Sequence, residues 1–263
     1  MSTLGATLAA ETDGDGAITP REVIHLFNRR DLSGWDTWLT DTKRDDPRQV
    51  FTVEDGLLKI SGDGLGCVVT QQAYRDYRLV AEFKWGSRTW GRRKDRTKDS
   101  GMLVHCVGDY GNASGGAWMA SIEAQIIEGG IGDFIVVGGT YPDGSTVPVS
   151  LTCEIEKDRD GESVWHRGGE RKVFHSGRIN WFGRDPDWAD VLGFRGKQDV
   201  ESPDGQWTTM EVICDGGRIA NVVNGTVVNE GFDAFPSAGK IIVQTELAEI
   251  IFRKIDLLPL DKK

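Results

Sequence analysis

The chain has 263 residues, of which 38% are hydrophobic and 27% are charged, so it is long enough to bury one large core. Its net charge of −10 argues against a surface that binds nucleic acid or an anionic membrane. No apolar stretch in the sequence approaches the length of a transmembrane helix, so we expect no membrane span.

The first 22 residues are interpreted as an N-terminal extension. Their opening, MSTLGATLAAETDG, lacks the basic start and the long apolar stretch of a signal peptide. Taken alone, this opening predicts a cytoplasmic protein. A periplasmic or secreted protein would follow if a leader had been removed.

An acidic stretch within residues 11–22 supports two interpretations. Asp13, Asp15 and Glu22 fall at positions that calcium-binding loops use for ligands. In the alternative, Thr19 caps a short helix near the start of the chain, Pro20 takes its first position and Glu22 completes a capping box. We favour the helix, because it accounts for Glu22 without a metal ion.

Short alternating segments separated by Gly, Asp and Asn fill most of the remaining sequence, and long helical periodicity is almost absent. The motifs CDGGR and VNGT, at 214–218 and 223–226, are typical of tight hairpin turns. This pattern predicts an all-β sandwich or barrel. The predicted strands lie near residues 57–61, 66–70, 77–86, 101–107, 121–128, 134–138, 149–156, 207–214, 218–223, 226–229, 240–246 and 249–257.

A long irregular stretch interrupts the pattern between about residues 157 and 206. It is rich in Gly and charged residues but contains Trp165, Trp181 and Trp188, which makes pure disorder an unattractive explanation. We interpret it as an insertion in a single domain that spans residues 23–263. Its tryptophans are candidates to cover the mouth of a binding face.

Strand alternation places several chemically capable side chains on common faces. Glu123 and Gln125 share a face opposite Ile122, Ala124 and Ile126, and Gln244 shares a face with Glu246. By the same alternation, His105 is expected to share a face with Leu103. Lys84 likewise faces away from the neighbouring apolar residues of its strand.

If these strands are neighbours, their polar faces form one surface. A solvent-exposed sheet face also carries polar residues, so alternation alone does not establish a site. His, Glu and Gln are nevertheless the side chains that hydrogen-bond sugars and transfer protons. Trp118, just before the Glu123 strand, is a candidate to stack on a sugar ring, although a structural aromatic residue would fit equally well.

Six segments follow one another along the chain: LFNRRDLSGW (26–35), VEDGLLKISGDGLGCVVTQQAYRDYRLVAEFKW (53–85), DSGMLVH (99–105), IEAQIIE (122–128), WTTMEVICDGGRIANVVNGTVV (207–228) and GKIIVQTELAEIIFRKIDLLPL (239–260). In order and spacing, these segments resemble the 3-keto-disaccharide hydrolase domain family. The resemblance implies a concanavalin-like jelly roll with a concave carbohydrate-binding face and cleavage of sugars already oxidised at C3. Where the family usually has Asn-Ser-Gly, this chain has Asp99-Ser100-Gly101, and His105 replaces the usual Arg.

The implied chemistry requires a base for the C2 proton, a group that stabilises the resulting enolate and an acid for the leaving group. We assign His105 as the base with Glu123 orienting it, and Glu246 or His175 as the acid. A divalent metal could instead stabilise the enolate, with His105 and Glu123 as its ligands. The remaining candidates are expected to bind a small-molecule or oligosaccharide substrate, and they are Gln125, Gln244, Trp118, Lys84 and Arg178.

Two other functions fit the same residues. A non-catalytic carbohydrate-binding module would need only hydrogen-bonding groups and aromatic platforms. An ordinary glycosidase could use Glu123 and Glu246 as its paired carboxylates and would act on sugars that are not oxidised.

Overall fold

A computed structural model describes residues 16–260, and within that range the chain is built almost entirely from strands. Two short 3-10 segments, Gly91–Arg93 and Ser114–Gly116, are the helical elements of this range. The strands are β1 (Ile24–His25), β2 (Trp35–Leu39), β3 (Phe51–Glu54), β4 (Leu57–Ile60), β5 (Leu65–Thr70), β6 (Tyr77–Thr89), β7 (Asp99–Val107), β8 (Ala120–Ile127), β9 (Phe134–Val137), β10 (Gly139–Thr140), β11 (Thr146–Val147), β12 (Ser150–Lys157), β13 (Ser163–Trp165), β14 (Glu170–Phe174), β15 (Gly177–Ile179), β16 (Thr208–Asp215), β17 (Arg218–Val223), β18 (Thr226–Phe235), β19 (Lys240–Glu246) and β20 (Ala248–Pro259).

The strands form two large antiparallel sheets that pack as a jelly-roll sandwich. The eleven-stranded sheet has the order β13-β12-β18-β17-β16-β6-β20-β4-β3, with β1 beside β20 and β14 beside β12. The seven-stranded sheet has the order β15-β9-β8-β7-β19-β5-β2, and β10 pairs with β11 alone. The sequence prediction of an all-β antiparallel sandwich is therefore confirmed.

The core lies between the two sheets because each contributes the apolar face of its alternating strands. On the seven-stranded sheet, Ile122, Ala124 and Ile126 of β8 point into it. On the opposite sheet, Ala81 and Phe83 of β6 do the same. The outer face of the seven-stranded sheet is thus left to carry the polar side chains of β7, β8 and β19.

The predicted N-terminal helix is wrong. Residues Ile24–His25 form β1, which pairs with β20 through Ile24 and Leu257. Pairing with the long strand β20 gives the backbone N–H and C=O groups of β1 their hydrogen-bond partners. This tertiary contact outweighs the local capping pattern. Glu22 is exposed, while Asp13 and Asp15 of the calcium interpretation lie outside the described residues.

The stretch at 157–206 is more ordered than its composition predicts. It contains β13, β14 and β15, and its Trp165, Phe174 and Trp181 side chains belong to the core between the sheets. No helix within residues 16–260 is long and apolar enough to span a membrane.

Candidate active site

The centre of the outer face is formed by β8, β7 and β19, which lie side by side in the seven-stranded sheet. Glu123 of β8 and Gln244 of β19 converge above Gly101 of β7. A Cβ atom added to Gly101 would collide with Glu123 Oε1 and would lie 2.7 Å from Gln244 Oε1. Glycine at this position therefore provides the space in which the two side chains meet.

A cavity of about 330 Å³ lies over this floor. Its polar lining consists of Arg93, Asp99, Ser114, Glu123, Gln125, Arg178 and Glu246. The cavity volume is at the lower end of the range typical of small-molecule sites, about 300–1,000 Å³. These side chains come from four different strands and from the segments before and after β7, so only the folded sheet brings them together.

Arg93 links two of the acidic side chains. Its Nη2 donates to Asp99 and, at 3.3 Å, to Glu246 Oε1. Gln125 Nε2 donates to the other oxygen of Asp99 at 2.6 Å. Arg92 approaches Glu246 from the solvent side at 3.5 Å.

Arg178 is anchored from behind by a fully buried carboxylate. Asp133 accepts from Arg178 Nη1 at 2.6 Å and from the backbone N–H of Trp181 at 2.8 Å, and it also pairs with Arg184. The Arg178 side chain keeps 34% of its surface exposed and lines the cavity. A positive charge is thereby fixed at the rim.

Burial changes the acidity of the glutamates. Glu123 is 3% exposed, and burial together with the negative charge of Glu246 raises its pKa to about 8, against the opposing effect of Arg178. Burial also raises the pKa of Glu246, although Arg93, Arg92 and Arg178 oppose that rise. The negative charge of Glu246 therefore favours the protonated form of Glu123, while the three arginines favour the ionised form of Glu246.

One buried polar atom of the cavity lining, Gln125 Oε1, has no hydrogen-bond partner among residues 16–260. Gln125 is 2% exposed, and buried amide groups are rarely left unpaired. Gln125 Oε1 is suited to accept a hydrogen bond from a hydroxyl group of a ligand. Gln244 is fully buried and does not line the cavity; its side chain lies beside Glu123, and a hydrogen bond between them opposes the rise in the Glu123 pKa.

His105 does not join this site, because a β-bulge reverses the alternation at that residue. From Val104 to Val107, β7 takes one residue more than the paired stretch from Ile122 to Ala120 of β8. His105 occupies the bulge with a φ of 54° and is fully buried.

The bulge sends the imidazole between the sheets. His105 packs edge-to-face against Tyr77 of β6, with 6.3 Å between the ring centroids. Cys106, rather than His105, joins Leu103 in the apolar cluster on the outer face. The expected common face of His105 and Leu103 is wrong, so His105 and Glu123 neither contact each other nor share a metal ion as ligands.

Two other candidates also lie elsewhere. His175 is exposed in the turn between β14 and β15, outside the cavity lining. Lys84 lies on β6 of the eleven-stranded sheet, where its Nζ stands 5.0 Å from the centroid of the Trp207 ring. Strand alternation correctly predicted that Lys84 points away from the core, but it could not predict which sheet contains the strand of Lys84.

Trp118 lies at the cavity wall. Its Nε1 donates to the carbonyl oxygen of Gly66 at 3.0 Å, and its ring belongs to the apolar cluster that covers β5. Trp165 and Trp181 are in the core instead of at the mouth. Of the insertion residues singled out in the sequence, Arg178 is the one that reaches the cavity.

Sequence reasoning gave no role to Arg93 or Asp99. Asp99 lies two residues before Gly101, and the alternation of β7 could have placed it on the outer face. Arg93 lies in the basic stretch GRRKDR, which carries no periodic signal. Among residues 16–260, no three His, Cys, Asp or Glu side chains are grouped as a metal site would require.

The fold and the family match define a carbohydrate-active jelly-roll domain. Residues 22–258 match the 3-keto-alpha-glucoside-1,2-lyase-like domain, and the chain belongs to that family. A comparison with curated protein sequences finds no match.

Solved structures with similar architecture come from several carbohydrate-related proteins. A candidate glycosyl hydrolase from Parabacteroides distasonis ATCC 8503 is 17% identical, covers 91% of this chain and 94% of its own, and has a TM-score of 0.49. A carbohydrate-binding module from Bacillus subtilis is 8% identical, with coverages of 85% and 94% and a TM-score of 0.44. The kappa-carrageenase from Pseudoalteromonas carrageenovora is 10% identical, with coverages of 90% and 92% and a TM-score of 0.43.

Proposed function

We propose that this protein is an enzyme that cleaves 3-keto-glycosides by removing the C2 proton and expelling the C1 substituent. The observation that carries the proposal is the pair of buried carboxyl groups, Glu123 and Glu246, on the floor of a polar cavity. The family to which the chain belongs supports the choice of a 3-keto-glucoside as the substrate.

A ketone at C3 makes this reaction accessible to ordinary carboxyl groups. Removal of the C2 proton leaves an electron pair that delocalises onto the C3 oxygen as an enolate. The enolate then forms the C1–C2 double bond as the C1–O bond breaks, and the departing oxygen takes a proton. Water that adds across the new double bond would complete a net hydrolysis.

The carboxyl pair can supply both proton transfers. When one of Glu123 and Glu246 is ionised and the other is protonated, the ionised group can act as the base and the protonated group as the acid. The base gains a proton as the acid loses one, so the pair keeps its total charge through the elimination.

Other residues of the cavity have separate tasks. Arg178 is fixed at the rim and can stabilise the negative charge that develops on the C3 oxygen. The unpaired Oε1 atom of Gln125 can accept a hydrogen bond from a sugar hydroxyl group. Trp118 offers an apolar wall for a sugar ring.

A binding module without catalysis accounts for the amide and the tryptophan but not for the glutamates. Burying a carboxyl group whose pKa rises to about 8 lowers the stability of the folded protein at neutral pH, because the ionised form is poorly solvated. A binding surface could use amides or hydroxyl groups without that cost. The buried pair is therefore better explained by proton transfer.

The test is release of the aglycone from a chromogenic 3-keto-glucoside, measured beside the same glucoside without the C3 ketone. We expect release only from the keto compound, and Glu123→Gln and Glu246→Gln should each lower kcat by a factor on the order of 10² or more. Turnover of the unoxidised glucoside at an equal rate would instead support an ordinary glycosidase. Binding of the keto sugar without any release would support the binding module.

Two histidine variants serve as controls. His105→Asn should retain kcat, because His105 lies between the sheets and Asn tolerates its positive φ. His175→Ala should retain kcat as well, since its side chain is exposed outside the cavity.

A further inference from the structure

We propose that Arg93 is a positioning residue that makes Glu246, rather than Glu123, the base of the carboxyl pair, and that Asp99 limits this effect by sharing the same guanidinium. The inference rests on the proposed function and assigns roles within it.

The geometry places one nitrogen atom between two carboxylates. Arg93 Nη2 donates both to Asp99 and to Glu246 Oε1, and the three side chains are 12%, 4% and 12% exposed. Little solvent therefore separates the charges, so their interactions are stronger than those of a surface pair. No hydrogen bond or ion pair among the described residues joins Arg93 to Glu123.

The other charged groups around Glu246 act less directly. Arg92 reaches Glu246 at 3.5 Å but is 63% exposed, so solvent screens its charge. Asp190 forms an ion pair with the same guanidinium, with its Oδ1 3.7 Å from Arg93 Nη1. Arg178 lowers the pKa of both Glu246 and Glu123. Across the sheet, the residue paired with Glu246 on β5 is the uncharged Leu65.

Glu123 lacks an equivalent contact. It is buried, Glu246 raises its pKa further, and its partner on β7 is Leu103. Of two buried carboxyl groups, the one that contacts a buried guanidinium more readily keeps its negative charge. Glu246 is then placed to accept the C2 proton and Glu123 to donate to the leaving oxygen.

Two variants should shift the pKa of the base in opposite directions. Arg93→Gln removes the positive charge from Glu246, so the acidic limb of the kcat/KM profile should move to higher pH by about one unit or more. Asp99→Asn keeps the shape and the oxygen that accepts from Gln125 but removes the competing negative charge. The same limb should then move to lower pH.

The readouts are the pH profile with a 3-keto-glucoside and the titration of carboxyl carbons in protein carrying 13C-labelled glutamate. The Glu246 signal is identified by its loss in Glu246→Gln, and its titration needs no substrate. Arg92→Gln is the matched control, since it removes an exposed charge near the same oxygen. It should move the acidic limb of the kcat/KM profile to higher pH by less than Arg93→Gln does.

The outcomes separate this inference from the proposed function. Wild-type turnover with an acidic limb that neither Arg93→Gln nor Asp99→Asn moves would overturn the role of Arg93 and leave the reaction standing. Shifts of the same sign in both variants, or an equal shift in Arg92→Gln, would also overturn it. A wild-type protein that turns over no 3-keto-glycoside would overturn the proposed function, while the carboxyl titrations would still show whether Arg93 holds the charge on Glu246.

Discussion

Glu123 and Glu201 are two buried glutamates with the same electrostatic penalty in different places. Glu201 is 6% exposed, and burial raises its pKa to about 8, although Arg195 opposes the rise. It accepts a hydrogen bond from Trp85 Nε1 at 2.5 Å and does not line the cavity. The chain thus offers a matched pair that separates burial from function.

Both groups should reduce stability as the pH rises. A folded-state pKa of about 8 against an ordinary value of 4.5 means that the folded protein binds the proton more tightly than the unfolded chain. The stabilisation by the protonated form is complete below pH 4.5 and is lost as the pH rises to 8. The full loss for one such group between those pH values is about 5 kcal/mol, and Glu123→Gln and Glu201→Gln should each remove most of it.

Denaturant unfolding at several pH values measures this effect, and turnover distinguishes the two variants. Glu123→Gln should lower kcat, whereas Glu201→Gln should not. If the pH dependence of unfolding were the same in Glu123→Gln as in wild type, Glu123 would not be buried in an uncharged form.

At the scale of single strands, Gly101 of β7 and Gly66 of β5 both lack space for a side chain, but for different reasons. A Cβ atom on Gly101 would meet the tips of Glu123 and Gln244. A Cβ atom on Gly66 would meet the backbone oxygen of Trp38 and lie 2.8 Å from the Cα of Leu39, both on the neighbouring strand β2. Side-chain ends can move, while a paired strand cannot.

Gly101→Ala should therefore reduce catalysis more than stability, because it displaces two residues of the site. Gly66→Ala should separate β5 from β2 and lower the free energy of unfolding by about 1–3 kcal/mol, as overpacking commonly does. Thermal unfolding and kcat measured on both variants test this contrast. Equal losses of Tm would contradict it.

At the scale of the whole molecule, the stretch at 157–206 behaves as part of the sandwich. Its strands pair with strands that lie at least partly outside it: β13 and β14 with β12, and β15 with β9. Its Trp165 and Trp181 share the common core. Arg178 and Asp190 also connect it to the cavity.

We expect that limited proteolysis of the intact chain releases no stably folded fragment from within residues 157–206. The apolar residues of this stretch are buried by the rest of the molecule, so a released piece would expose them and unfold. Mass spectrometry of the fragments with circular dichroism on any that persist is the measurement. A folded fragment would show that the stretch is a separate domain.

The sequence alone determined twelve of the 20 strands that the structure has within residues 16–260, and most of their faces. All twelve predicted strands are present, and Glu123, Gln125, Gln244 and Glu246 lie on the outer face as alternation predicts. Alternation is a local property of an extended backbone, so it can be read without knowing the neighbours of a strand.

Only the tertiary structure decided which of these residues meet. The bulge that turns His105 into the core depends on how β7 pairs with β8 and β19, and the distance of Lys84 from the site depends on which sheet contains β6. The shared guanidinium of Arg93 and the anchoring of Arg178 by Asp133 join residues that are far apart in the chain or lie in irregular segments. Such contacts are set by strand order, register and packing, which no local pattern encodes.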